Sequence, residues 1–326
     1  MAENQYPPLT LDLIREAAAR IEGRVNRTPV MTSETLDAMA GARLFFKCEN
    51  LQKVGAFKAR GAANAVFALT DEEARQGVAT HSSGNHAAAL ARAAGLRGIP
   101  AYIVMPDNAP VAKQDNVRRY GGEIILCEPT LEARESNAAR VVADTGATFI
   151  HPYDNLMVMA GQGTAAVELL TDCPDLDLIL CAVGGGGLLS GTAVAAKSLK
   201  RDIEVVAVEP AGADDAFRSV KAGRILPSIK PNTIADGLLT SLSERTFAEI
   251  QRHVDDIVTV SDTAIIAAMR RMWEVLKIVV EPSGAVAYSA TSGTGLDLKD
   301  RRVGIMITGG NLDLDWLPWM SPKAQA

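Results

Sequence analysis

From Gly77 to Glu209 the chain repeats one pattern: a short apolar run, a turn rich in glycine or small polar residues, then a segment with helical spacing. Apolar runs at 78–80, 101–105, 123–127, 148–151, 176–183 and 204–209 alternate with helix-patterned segments at 87–94, 112–120, 131–145, 163–170 and 188–199. Strands separated by helices pair in parallel through right-handed crossovers, because strand twist lets the helix pack back on the sheet with one hand only. The pattern predicts an α/β fold in which two sheets share a cleft. In such sheets ligands bind at the carboxyl ends of strands, so the strand-end loops are where chemistry is expected.

The flanks fit the same class. Leu11, Ile14, Ala18 and Ile21 give a first amphipathic helix with Thr10 placed to cap it, and Ser33 is placed to cap a short helix ending at Gly41. Residues 43–48 read as a strand, and Thr70 with Glu73 as a capping box. A looser segment at 223–249 carries Pro227, Pro231 and Gly237; Ser261 or Asp262 then caps a helix to Leu276, another helix begins near Pro282, and 303–308 is a last strand. Residues 320–326 read as a frayed tail. At 326 residues the chain suits one large or two modest domains. Its 33 basic and 39 acidic residues give a net charge of −6 without a basic block, so neither nucleic acid nor an anionic membrane is an expected partner. Cys48, Cys127, Cys173 and Cys181 are scattered, which disfavours a thiolate metal site and a disulfide framework. With no apolar leader and no run of membrane-spanning length, a cytoplasmic enzyme is expected.

Four stretches carry candidate chemistry. Lys58 stands between Phe57 and a helix-like run, with Lys53 just ahead. A lysine amine becomes a nucleophile when desolvation or a neighbouring charge lowers its pKa, although a lysine at a helix start is ordinarily a solvated surface charge. Ser82-Ser83-Gly84-Asn85-His86 leads into a helix, where free amides and the macrodipole favour a carboxylate; it also reads as a polar helix cap. Gly184-Gly185-Gly186-Gly187 lies between an apolar strand and a helix, a backbone able to converge on an anion. It is neither a Walker loop nor a dinucleotide fingerprint, since Leu189 stands where the third glycine belongs, and a flexible turn is the plain alternative. Thr308-Gly309-Gly310-Asn311 follows the last strand, its hydroxyl serving a ligand atom or simply ending the strand.

A lysine, a carboxylate loop, a monophosphate loop and a strand-end hydroxyl together suggest pyridoxal phosphate. Phe57 to Gly61, Ser82 to His86, Gly184 to Gly187 and Thr308 to Asn311 resemble, in order and spacing, the fold-type II pyridoxal-phosphate enzymes of the serine/threonine dehydratase and serine racemase group, over nearly the whole chain. The resemblance implies a two-domain fold like the β subunit of tryptophan synthase: residues 1–77 and 153–326 form a large cofactor domain, residues 78–152 a small mobile α/β domain, and the cofactor lies between them. A homodimer is implied as well, and with no regulatory domain after Asp315, allosteric control of the biosynthetic threonine dehydratase type is not expected.

The resemblance also assigns roles. Lys58 would carry the cofactor and take the α-proton, Phe57 would pack beside the ring, Asn85 would bond the ring oxygen, Gly184, Gly185, Gly186 and Gly187 would cradle the phosphate, and Thr308 would meet the pyridine nitrogen. Ser82, Asn85 and His86 would bind the substrate carboxylate, His86 having an equally good capping role. Ser83 would sit opposite Lys58 as a second acid/base, as racemisation requires; a serine there also accompanies some hydroxyaspartate dehydratases, so the residue alone does not separate the two reactions. Glu209, Ala213 and Asp215 resemble a divalent-cation site with hard oxygen ligands for Mg²⁺, Mn²⁺ or Ca²⁺, or a charged turn. Arg134 would reach a second substrate carboxylate, or remain a surface arginine near Glu132 or Glu135; Thr240 would line the same pocket. Within that group the sequence resembles the 3-hydroxyaspartate dehydratase branch, where a bulkier residue often stands in place of Ala59, while Tyr153 occupies a position where racemases carry a small polar residue. The implied reaction is elimination of water and then ammonia from a small β-hydroxy amino acid: 3-hydroxyaspartate to oxaloacetate through iminosuccinate first, serine and threonine next. Serine or aspartate racemisation is the nearest alternative, and a cofactor-binding protein without turnover a more distant one.

Overall fold

The computed structural model describes residues 6–82, 84–315 and 317–320. Ten strands are found among them: β1 (Val30–Met31), β2 (Arg43–Cys48), β3 (Val78–His81), β4 (Ala101–Pro106), β5 (Glu123–Cys127), β6 (Thr148–Phe149), β7 (Leu178–Ala182), β8 (Glu204–Pro210), β9 (Asp256–Val260) and β10 (Arg302–Ile307). They form two sheets, one of six strands in the order β1-β2-β10-β7-β8-β9 and one of four in the order β5-β4-β3-β6. All pairs are parallel except β1 with β2, a two-residue antiparallel edge.

The strand sequences explain this layering. β7 is apolar throughout and all five residues are buried, as expected of a parallel strand covered on both faces. Its side chains alternate: Leu178, Leu180 and Ala182 join one core with Val206, Val208, Val303 and Ile305, while Ile179 and Cys181 join the opposite core with Val205, Ala207 and Met306. β10 lies between β2 and β7 and pairs with β2 over six positions, from Arg302 opposite Arg43 to Ile307 opposite Cys48. That register brings Thr308, Glu49 and the loop after β7 to the same edge of the sheet.

Differences from the sequence pattern have physical causes. The segment at 163–170 is part of a longer helix, Leu156–Asp172, capped by Asn155. Eleven of its residues are buried, so it lacks the polar face that marks a helix in sequence, and Gly161 and Gly163 lower its propensity. Gly161 is needed where this helix crosses Lys58–Ala68, because a Cβ there would stand 2.6 Å from the Cα of Gly61. β9 and the helix Glu244–His253 arise in and just after the segment read as loose. β9 is an edge strand with only Ile257 and Val260 buried, too little apolar signal to stand out. The capping box at Thr70 and Glu73 and the Ser261 cap form as expected. All four cysteines are buried and free, and no helix among the described residues is long and apolar enough to cross a membrane. Residues 321–326, read as a tail, lie outside the described residues.

Candidate active site

Lys58 opens the helix Lys58–Ala68 from a tight approach in which the Phe57 N–H donates to the Thr308 carbonyl at 3.0 Å. The lysine is half-buried, and the part it exposes faces a cavity of about 380 Å³. Its Nζ donates to the Pro152 carbonyl at 2.8 Å and lies 5.0 Å from the centre of the Phe57 ring. Desolvation alone brings its pKa down to about 8, so the neighbouring charge considered for Lys53 is not needed. The Pro152 carbonyl is aimed by a turn that His151 holds: its Nδ1 accepts the N–H of Tyr153 at 3.3 Å and of Asp154 at 2.9 Å. Burial, with help from His81, lowers His151 to about 4, which keeps that nitrogen an acceptor.

Behind Lys58 the same helix is anchored by charge. Arg60 is fully buried; its Nε meets Glu49 Oε2 at 2.7 Å, and its Nη1 and Nη2 meet Glu168 at 2.7 and 2.8 Å. Lys47 Nζ meets Glu168 Oε2 at 2.6 Å, closing a network of two cations and two carboxylates.

The glycine run lines the same cavity, directly after β7. Gly186 has φ of +85° and caps the helix Gly187–Leu199, whose first N–H groups have no intrahelical partner. A Cβ on Gly185 would lie 2.3 Å from the Tyr153 ring, and one on Gly186 2.8 Å from Thr246. Four glycines are present because side chains already fill the space beside this backbone.

From the other sheet come Ser82 and the helix Asn85–Arg97. Ser82 lines the cavity and its Oγ accepts the Gly84 N–H at 3.3 Å. Ser83 lies outside the described residues. Asn85 Nδ2 donates to Glu281 at 2.9 Å, and Asn311 Nδ2 donates to Asn85 Oδ1 at 2.9 Å. Burial raises Glu281 to about 8; Asp236 adds to this, while the bonds from Asn85 and Asn311 oppose it. His86 also lines the cavity, and its ring takes the capping or orienting role. It is 2 % exposed, its Nε2–H donates to the Ile150 carbonyl at 3.2 Å, and burial holds its pKa well below the usual value. A neutral ring that spends its one proton on Ile150 has only a bare acceptor left, so His86 orients the loop.

Arg134, Thr240 and Thr308 also line the cavity. Arg134 is half-buried, its Nε reaching the Thr130 carbonyl at 3.4 Å, and among the described residues it forms no ion pair with Glu132 or Glu135. Thr308 is 4 % exposed. Outside the cavity, Glu209 stands just before the end of β8, with its two oxygens accepting from the N–H groups of Ala216 and Phe217, at 2.9 and 2.8 Å. Ala213 is buried, and buried Asp215 leaves both carboxylate oxygens without a hydrogen-bond partner among the described residues, beside a Ser228 hydroxyl that also lacks one there. Burial raises Glu209 to about 8 and Asp215 to about 6.

The family model described as "Pyridoxal-phosphate dependent enzyme" matches residues 21–309. The chain belongs to that family. It is 50% identical over 314 residues to the β-hydroxyaspartate dehydratase of Paracoccus denitrificans, covering 96% of this chain and 99% of that one. It is 51% identical over 325 residues to a serine racemase of Oryza sativa subsp. indica, covering 98% and 96%. The solved structure of maize serine racemase superposes with a TM-score of 0.92 at 49% identity, covering 94% of this chain and 95% of that one. The fold is that of the fold-type II pyridoxal-phosphate enzymes, in the group that holds the dehydratases and racemases.

The residues fit that cofactor: a lysine whose pKa desolvation brings down to about 8, a glycine loop at a helix N-terminus with the dipole for a phosphate, and a second Asn85 Nδ2 hydrogen left for a ring oxygen. The partnerless oxygens of Asp215 near Glu209 likewise suit a hard cation. Three lining groups escaped the sequence: Glu281, the Pro152 carbonyl and the Lys113–Asp236 pair at 2.5 Å. Glu281 heads a helix at Pro282, where an acidic residue is ordinary, and only burial distinguishes it.

Proposed function

We propose that the protein is a pyridoxal-phosphate-dependent ammonia-lyase that dehydrates 3-hydroxyaspartate, with serine and threonine as lesser substrates. Arg134 carries the choice of substrate. A half-buried guanidinium without an ion pair among the described residues, in the same cavity as Lys58, offers forked donors to a second carboxylate. The similarity to a β-hydroxyaspartate dehydratase supports the same choice.

When bound, pyridoxal phosphate supplies the electron sink for the charge left at the α-carbon. Lys58 Nζ takes the α-proton, and desolvation keeps that amine neutral enough to do so near neutral pH. Thr308 presents a neutral hydroxyl where an ionised carboxylate would strengthen the sink, which favours prompt loss of a β-substituent. The β-hydroxyl leaves as water, and hydrolysis of the released imine returns that water to give oxaloacetate and ammonia. Glu209, Asp215 and the Ala213 carbonyl would hold a divalent cation, which would supply a structural role. Serine racemisation is the rival reading, favoured by the 51% identity to a serine racemase, with Ser83 as the opposing acid/base.

Ammonia release across serine, threonine and the stereoisomers of 3-hydroxyaspartate tests the choice. Arg134→Ala should cost about 10- to 100-fold in kcat/KM on 3-hydroxyaspartate, the worth of hydrogen bonds to a charged group, and leave serine nearly unchanged. An equal effect on both substrates, or none, contradicts the assignment.

A further inference from the structure

Asn85 is held more firmly than a residue reading a ligand alone requires. Its Nδ2 donates to Glu281 Oε1 at 2.9 Å, its Oδ1 accepts from Asn311 Nδ2 at 2.9 Å, and Glu281 Oε2 accepts the backbone N–H of Asn311 at 3.0 Å. The ring of bonds closes across three segments: the helix after β3, the residue heading the helix Pro282–Ser289, and the loop after β10. Asn311 Nδ2 also donates to the Val54 carbonyl at 2.6 Å, and the Gly310 N–H to that of Gly55 at 2.9 Å, so the loop leading to Lys58 shares the frame. Glu281 itself is 4 % exposed and its N–H donates to the Gly309 carbonyl at 3.1 Å.

The two ends of an asparagine amide are told apart only by their partners. Here Asn311 Nδ2, held as a donor by the Val54 carbonyl, faces Oδ1, and Glu281 Oε1 accepts from Nδ2, which sets the amide one way round. Glu281 uses one Nδ2 hydrogen and leaves the second for the cavity. Gly309 has no room for a Cβ, which would stand 2.4 Å from Glu281 Oε1, so the carboxylate is confined where it meets Asn85. Asp236 and Lys113, paired across the cavity, are the charged groups acting on Glu281.

We propose that Glu281 is a positioning residue that acts through Asn85: it fixes the amide with its free N–H toward the cofactor ring and ties the four-stranded sheet to the loop bearing Thr308. The inference rests on the family's cofactor and not on which substrate is turned over. In the reconstituted holoenzyme, Glu281→Gln offers an amide nitrogen to one of two donors and lets Asn85 turn over. It should shift the absorbance band of the bound cofactor and lower kcat about tenfold, with KM within about threefold. Asn85→Ala should produce the same shift, and the double variant should lose no more than either single one, the mark of residues acting as a unit. In the cofactor-free protein, amides at the start of the helix Asn85–Arg97 should exchange faster in Glu281→Gln. An unaltered band and kcat, or losses that add, overturn the proposal. If Glu281→Gln does not fold, Glu281→Asp keeps the carboxyl group at shorter reach and should give a smaller shift of the band in the same direction; wild-type behaviour there also overturns it. The band requires no turnover, so a wrong substrate would leave this result readable.

Discussion

Lys58 and Arg60 stand two positions apart and show opposite uses of burial. The Lys58 amine meets a carbonyl and no carboxylate among the described residues, so desolvation lowers it to about 8. The folded protein then releases this proton at a lower pH than an exposed lysine would. Capture of pyridoxal phosphate by the cofactor-free protein should therefore accelerate as pH rises through about 8 and level off above it; a stopped-flow rate that stays flat across that range contradicts the assignment. Arg60 is fully buried among Glu49 and Glu168, and its charge is kept because both carboxylates are there. Arg60→Ala leaves carboxylates buried and unpaired, and should cost about 3–5 kcal/mol in chemical denaturation. The lysine was visible in sequence because its neighbours form a recognisable motif. Arg60 sits in that motif too, but its partners lie 11 and 108 positions away and nothing local marks them.

Among the elements, the strand-to-glycine-to-helix unit at 178–199 was legible because each part states its own geometry: a wholly apolar strand, a run of glycines, a helix. What the sequence did not show is what crowds those glycines. Tyr153 packs on Gly185, and Thr246 on Gly186. Gly186→Ala combines a φ of +85° with a 2.8 Å contact, and should lose about 1–3 kcal/mol of stability together with cofactor affinity. Gly23→Ala has a φ of +74° but open space, and should cost only about 1 kcal/mol and leave cofactor affinity unchanged. Equal effects of the two would remove the argument from crowding. The helix Leu156–Asp172 was half missed for the reason that makes it central: burial on all sides erases the amphipathic stripe by which a helix is read.

At the scale of the molecule, two parallel sheets meet at one cavity. β3 to β6 contribute Ser82 and Asn85, and the six-stranded sheet contributes Thr308 and the glycine loop. The alternation of strands and helices was enough to anticipate both sheets, while β9 and the antiparallel β1 were hidden by their shortness and edge positions. Lys113 and Asp236 join the two sides of the cavity mouth at 2.5 Å, both partly exposed. Such a pair contributes at most about 1 kcal/mol to stability, so Lys113→Ala should leave the unfolding midpoint nearly unchanged while altering KM. The cation proposed at Glu209 and Asp215 predicts a larger effect of chelation: EDTA should lower the unfolding midpoint, and Asp215→Asn should abolish that sensitivity. The central claim is elimination led by Lys58, and proton NMR of 3-hydroxyaspartate with the holoenzyme in D₂O tests it most directly. Elimination predicts that the substrate signals give way to oxaloacetate, without build-up of α-deuterated inverted isomer. Inversion with α-deuterium and no keto acid would contradict the account and assign the site to racemisation.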